Sequence, residues 1–107
     1  MTNFISTGST YWISDEEIQI LEKKATNGDK NSAFKLYQYH MFVSLDQDSE
    51  FKWLEIAAKN GHPIAQYNLA DLFFTQGNKE KAIFWAKKAY RNGAKLPDEL
   101  KILMNIN

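Results

Sequence analysis

The stretch that decides the fold is residues 53–70, WLEIAAKNGHPIAQYNLA. Asn60 and Gly61 lie at its centre, and glycine adopts the left-handed conformation that ends many helices without a steric penalty. Pro63 follows where the first turn of a helix needs no amide hydrogen. Both flanks carry helical rather than alternating hydrophobic spacing, so the stretch predicts a helix, a turn and a second helix rather than a β-hairpin.

The same Asn-Gly pair recurs along the chain. It occurs at Asn27-Gly28, Asn60-Gly61 and Asn92-Gly93. The glycines are 33 and 32 residues apart, and the position eight residues before each holds Ile20, Trp53 or Trp85. A fixed period of this length predicts repeated helix pairs. Gly77-Asn78 is expected to link the helices of the second pair, whereas the corresponding link in the first pair, residues 44–48, makes that copy one residue longer.

We predict six helices, at about residues 15–27, 31–43, 48–60, 63–76, 79–92 and 97–105. Ser14 and Glu17 match a capping box at the start of the first helix, and Ile13 is expected to pack against Ile18. Acidic residues 15–17 lie at the positive end of the helix dipole. This cluster is better explained by helix initiation than by a metal or acid–base site.

The predicted organisation is a single domain over residues 1–107. Its parts are an extended arm (1–13), a divergent capping helix (14–28), a first repeat (29–61), a second repeat (62–93) and a C-terminal capping helix (94–107). In the arm, Phe4, Ile5, Tyr11 and Trp12 are expected to cover apolar surface at the end of the stack.

Residues 53–70 resemble the Sel-1-like repeat family, which is related to the tetratricopeptide repeat. Its characteristic run W-x-x-x-A-A-x-x-G-x-x-x-A-Q-x-x-L-G is matched by Trp53, Ala57, Ala58, Gly61, Ala65, Gln66 and Leu69. Ala70 replaces the final glycine, and residues 81–93 repeat the first half of the motif. The resemblance covers roughly residues 15–95 and implies an all-α, right-handed α-solenoid of about 2.5 helix-turn-helix repeats. The loop between paired helices is shorter than is usual in that family.

The composition favours a packed domain and excludes several chemistries. The chain has 107 residues, of which 44% are hydrophobic and 14% aromatic, and it contains no cysteine. Disulfides, thiolate zinc sites and iron–sulfur clusters are therefore excluded. No apolar run approaches the roughly 20 residues of a membrane span, and the N-terminus lacks the pattern of a signal peptide. We expect a cytoplasmic protein with no membrane association.

Candidate catalytic residues are few. His62 precedes Pro63 and is expected to cap or fill the turn, while His40 occupies the repeat position of Phe73 and is expected to be a satisfied core histidine. Trp53 and Trp85 are expected to fill the core between helix pairs rather than to stack on a ligand. No zinc-protease, nucleophile-elbow, P-loop or dinucleotide motif occurs. We therefore predict no enzymatic activity, catalytic residue, metal site or cofactor.

The resemblance implies a groove lined by the first helix of each pair. Its expected partner-binding residues are Phe34, Lys35, Gln38 and Met41 in the first repeat, and Tyr67, Asn68, Asp71 and Phe74 in the second. A row of aromatic, amide, charged and methionine side chains resembles a recognition surface. The alternative is that Tyr67 and Phe74 simply pack against the arm or a neighbouring helix.

Charge is distributed unevenly along the chain. Residues 1–50 contain eight acidic and four basic residues, and residues 51–107 contain five acidic and nine basic ones, so the halves carry formal charges of −4 and +4. A possible basic face comprises Lys81, Lys87, Lys88 and Arg91. Phosphate contacts need such a patch, but lysines near a helix C-terminus also complement its dipole. A solvated helix face is the preferred interpretation.

These features together predict a non-catalytic protein–protein interaction module. The most concrete hypothesis is a small immunity-type inhibitor that binds and neutralises one cognate bacterial toxin, as a monomer or weak dimer. A domain of this size has room for about one standard interface. The alternatives are a general adaptor in signalling or assembly and, third, a nucleic-acid-associated accessory protein.

Overall fold

The computed structural model describes residues 10–105, and of Leu103 only the backbone. The helices in this range are α1 (Asp15–Thr26), α2 (Lys30–Tyr39), α3 (Gln47–Lys59), α4 (Pro63–Thr75), α5 (Lys79–Arg91) and α6 (Asp98–Leu103). The described part of the chain has no strand, so the predicted all-α class is confirmed. None of these helices combines the length and the hydropathy needed to cross a bilayer.

Five of the six helices begin and end within two residues of their predicted bounds, and the second does not. The prediction of an α-helix over residues 31–43 is wrong beyond Tyr39, because His40–Ser44 form a π-helical turn. Such a turn accommodates an extra residue without breaking the helix, which explains how the first repeat contains one residue more than the second. Leu45 ends the turn with a left-handed backbone (φ 57°).

Helix ends are set by the residue types that the sequence places there. The side chains that accept a hydrogen bond from the first turn of α1 to α5 belong to Ser14, Asp29, Asp46, His62 and Asn78. After four helical segments, glycine has a positive φ of 81–103°, at Gly28, Gly61, Gly77 and Gly93. The predicted glycine stops are confirmed, and so is the Ser14 cap, whose Oγ accepts from the Glu17 amide at 3.2 Å.

Consecutive helices pack against each other from α1 to α5, with links of three to seven residues between them. Leu36 and Leu69 are fully buried at the centre of the main core. Around them the helices approach closely because buried alanines occupy the contact positions, at Ala33, Ala57, Ala65, Ala82, Ala86 and Ala89. A second cluster, with Ala70, Leu96 and Met104, covers the far side of α4 and α5 with the C-terminal segment.

The two tryptophans differ in burial. Trp53 is only 3% exposed, which confirms it as a core residue. Trp85 is half-buried and packs against both core clusters. The prediction of a core position is therefore correct for Trp53 and only in part for Trp85, whose ring is partly open to solvent.

The arm partly covers apolar surface, as expected. Tyr11 stacks on Phe42 of the π-helical turn, with ring centroids 4.6 Å apart, and Ile13 is buried in the main core, where Ile18 also packs. Trp12, in contrast, is 63% exposed, so the expectation of a covering role is wrong for this residue. Thr10 has helical backbone, so the arm is not extended there. Phe4 and Ile5 lie outside the described residues.

Candidate partner-binding surface

An open hollow of about 300 Å³ lies between α4 and the start of α6, and is named here the α4–α6 hollow. It is lined by Tyr67, Ala70, Asp71, Phe74, Pro97, Glu99 and Leu100. Phe74 is 44% exposed and Tyr67 is half-buried. The spacing of four and three residues places Tyr67, Asp71 and Phe74 on one helix face. Three of the four residues predicted on α4 therefore surround one hollow.

A second hollow, of about 260 Å³, shares Asp71 with the first and is named the α3–α4 hollow. Its lining is Tyr37, Glu50, Leu54, Asn68, Asp71, Leu72 and Thr75. Here the Asn68 Nδ2 donates to the Tyr37 Oη at 3.3 Å, which ties α4 to α2. Burial raises the pKa of Tyr37, and the nearby Glu50 carboxylate adds to that rise while the Asn68 hydrogen bond opposes it. Asn68 therefore has a structural role besides its position in the lining.

The residues predicted on α2 lie in a different place. Phe34, Lys35 and Gln38 line a hollow of about 400 Å³ between α1, α2 and residues 10–12, the α1–α2 hollow. Lys35 Nζ lies 3.0 Å from the Glu17 carboxylate, and Met41 is half-buried against the main core. The predicted groove residues are thus divided between separate hollows.

His62 has the capping role that the sequence predicts. Its Nδ1 accepts a hydrogen bond from the Ala65 amide at 3.2 Å, and its ring stacks on Phe34 with centroids 4.1 Å apart. Burial lowers the pKa of His62, and the positive charge of Lys30 lowers it further. A protonated imidazole could no longer accept at Nδ1, so the cap requires the neutral form.

We expect the free energy of unfolding to fall as the pH is lowered below about 6.5. In the unfolded chain, histidine has its ordinary pKa of 6.5. In the folded chain, burial lowers the pKa of both His62 and His40 below that value. Stability is therefore complete above 6.5 and is lost as the pH falls towards the folded pKa. Urea midpoints between about pH 7.5 and 5.5 measure this. His62→Asn retains a capping side chain and should flatten the slope; an unchanged slope would contradict the assignment.

The other shifted groups also have structural partners. His40 is half-buried, and its Nδ1 lies 2.7 Å from the Ser44 Oγ across the π-helical turn, so it is a partnered histidine but not a core one. Hydrogen bonds from the Ser32 and Ser49 hydroxyls lower the pKa of the capping carboxylates Asp29 and Asp46, respectively. Within residues 10–105, no group of three or more acidic or histidine side chains is arranged to hold a metal.

The predicted basic face combines lysines with aromatic rings. Lys88 Nζ lies 5.0 Å from the ring centroid of Phe84 and 5.6 Å from that of Trp85, and Lys81 Nζ lies 5.3 Å from that of Phe73. Phe84 is 52% exposed. Arg91 is exposed and Lys87 half-buried. Lys81, Phe84, Lys88 and Arg91 follow helical spacing, so they form one stripe on α5.

Comparison with known proteins gives one relative and no family. The sequence matches no protein-family model, and no solved structure matches it. It is 35% identical over 95 residues to an uncharacterized protein of Escherichia coli (strain K12), YibG. The aligned region covers 82% of this chain and 62% of YibG, so the chain spans less than two thirds of that relative's length.

Proposed function

We propose that the chain is a non-catalytic protein-binding module that captures one cognate protein at the α4–α6 hollow. The observation that carries this proposal is the exposed Phe74 beside Tyr67 in an open hollow with mostly apolar walls. Aromatic side chains in such pockets supply much of the affinity of protein interfaces. The most concrete form of the proposal is an immunity-type inhibitor that occludes a bacterial toxin.

The structural partners of the titratable groups with shifted pKa values support binding rather than catalysis. Active sites often contain a group with a shifted pKa that faces a cleft. In the described part of the chain, Asp29, Asp46 and His62 cap helices, Tyr37 bonds to Asn68, and His40 pairs with Ser44. Each shifted group therefore has a local structural explanation.

We also propose that the helix pairs form a Sel-1-like solenoid. The sequential packing of α1 to α5 supports this arrangement, since each repeat in a solenoid contacts chiefly its neighbours. Further support comes from the motif residues: Trp53, Ala57, Ala58, Ala65 and Leu69 are all buried. The motif glutamine, Gln66, is buried as well and bonds to the ends of two helices.

Nucleic-acid binding at the α5 stripe is the second candidate function. It is favoured by exposed Phe84 between Lys81 and Lys88, because bases stack on aromatic rings while lysines contact phosphates. Affinity for a single-stranded oligonucleotide should then fall steeply with salt. Partner capture that survives high salt favours the protein-binding proposal instead.

The proposal is tested by affinity capture with the full chain, followed by cross-linking mass spectrometry. We expect one protein to be retained by the wild type and lost from the double variant Tyr67→Ala/Asp71→Lys. The matched control is Tyr90→Ala/Asp15→Lys, which makes the same changes at exposed positions that line none of the three hollows and should retain the partner. Equal capture by all three chains, or no specific capture, contradicts the proposal.

Partner number and affinity then separate the inhibitor from the adaptor. An inhibitor should bind a single protein with a dissociation constant of about 1 nM or below, whereas an adaptor should bind several proteins at about micromolar levels.

A further inference from the structure

The α4–α6 and α3–α4 hollows, which meet at Asp71, both have negatively charged linings. Their linings contain the carboxylates Glu50, Asp71 and Glu99 and no lysine, arginine or histidine. Asp71 and Glu99 form a local acidic feature, because they lie within residues 51–107, which as a whole carry a formal charge of +4. Building on the proposed function, we propose that this surface holds a basic segment of the partner and that an arginine side chain fills the α4–α6 hollow.

The carboxylates of this surface are not neutralised by the protein itself. The ion pairs formed among residues 10–105 are Lys35 with Glu17 and Lys59 with Glu55, so Glu50, Asp71 and Glu99 take part in neither. Lys101 is on the same helix as Glu99. Its Nζ lies 5.7 Å from the ring centroid of Tyr90. The base nearest to Glu99 in sequence therefore lies beside α5. Lys52, two residues from Glu50, has its Nζ 4.7 Å from the ring centroid of Trp53, so the negative charge of the surface remains available to a partner.

The walls of the α4–α6 hollow suit a guanidinium better than another group. Tyr67 and Phe74 offer aromatic rings, over which a planar guanidinium stacks favourably. Carboxylates such as Asp71 and Glu99 accept its forked hydrogen bonds, which an ammonium cannot match in geometry. Ala70, Pro97 and Leu100 provide apolar contacts for the methylene stem. Phosphates and acidic segments would be repelled by the same carboxylates.

The arrangement on both sides of Asp71 suits an extended segment. One side chain occupies the α4–α6 hollow, and the chain then crosses α4 at Asp71 to reach the α3–α4 hollow, where Glu50 supplies a further carboxylate. A volume of about 300 Å³ is at the lower limit for ligand pockets. It is therefore better suited to one side chain of a bound segment than to a whole small molecule.

The test is an NMR titration of the ¹⁵N-labelled full chain with the peptide acetyl-Gly-Arg-Gly-Gly-Arg-Gly-amide. Amide shifts should move in α4 and at the start of α6. Replacing both arginines with citrulline, which keeps the shape but removes the charge, should weaken binding by about 10-fold. Because Asp71 and Glu99 are exposed, Asp71→Asn and Glu99→Gln should each weaken it by only about 2–5-fold. Asp98→Asn removes the same charge beside the hollow without lining it and should leave affinity unchanged.

Two results would overturn the inference: equal binding of the arginine and citrulline peptides, or equal losses in Asp71→Asn and Asp98→Asn. The experiments distinguish a failure of this inference from a failure of the proposed function. If the cognate protein is lost from Tyr67→Ala/Asp71→Lys while citrulline and arginine peptides bind alike, the hollow is a docking site but not an arginine site. If the arginine peptide binds as expected and no protein is captured, the pocket chemistry is correct and the proposed function is wrong.

Discussion

Replacing Trp53 with alanine is expected to lower the free energy of unfolding by about 3–5 kcal/mol. The indole is 3% exposed in the main core, where Leu36, Leu69 and several alanines surround it. The alanines of this core on other helices, Ala25, Ala33 and Ala65, have only a methyl side chain, which cannot move far enough to fill the space. The loss should appear as a lower urea midpoint, followed by circular dichroism rather than by fluorescence, because the substitution removes a fluorophore.

The matched control is Trp85→Ala, at the equivalent repeat position on α5. Trp85 is half-buried, so its removal should cost less, about 2 kcal/mol. Trp53→Phe keeps most of the buried apolar area, so this variant should fold even if the alanine variant does not. Equal losses at the two tryptophans would contradict the difference in burial between them.

Replacing Gln66 with glutamate is expected to cost about 3 kcal/mol at pH 7.5. Gln66 is 2% exposed. Its Nε2 donates to the Ala58 carbonyl at 3.0 Å, and its Oε1 accepts from the Asn92 Nδ2 at 2.9 Å. A carboxylate would lose the first bond, face the carbonyl oxygen with a negative charge, and be buried without a cation.

The control for Gln66→Glu is Gln66→Leu, which removes both hydrogen bonds without adding a charge and should cost about 1–2 kcal/mol. The two variants differ in pH dependence. Burial raises the pKa of an introduced carboxyl, so the excess loss in Gln66→Glu should be present at neutral pH and disappear below about pH 4.3. An excess loss that does not depend on pH would contradict a buried charge as its cause.

The helices could be predicted from the sequence because their ends depend on local chemistry. Ser14, Pro63 and the Asn-Gly pairs act within one turn of the backbone, and the structure places caps and left-handed glycines at those positions. The π-helical turn at His40–Ser44 could not be predicted, because it depends on how α2 and α3 must meet when one residue is added between them. Helical spacing alone cannot distinguish an α-turn from a π-turn over five residues.

The lining of the α4–α6 hollow could be predicted only in part, for a similar reason. Tyr67, Asp71 and Phe74 follow helical spacing, so their shared face could be inferred from one helix. Pro97, Glu99 and Leu100 could not be inferred, because their position against α4 depends on how Leu96 and Met104 pack. The missed Tyr37 did leave a signal, since it occupies the repeat position of Ala70 and a large residue there reaches beyond its own helix pair.

Contacts between helices that are not adjacent in sequence should make unfolding more cooperative. Helices that touch only their sequence neighbours can melt one after another, as repeat arrays do. In this protein the Phe34–His62 stack and the Tyr37–Asn68 hydrogen bond connect α2 with the start and middle of α4. These links make the loss of either helix pair costly for the other. The two pairs should therefore fold and unfold together as one unit.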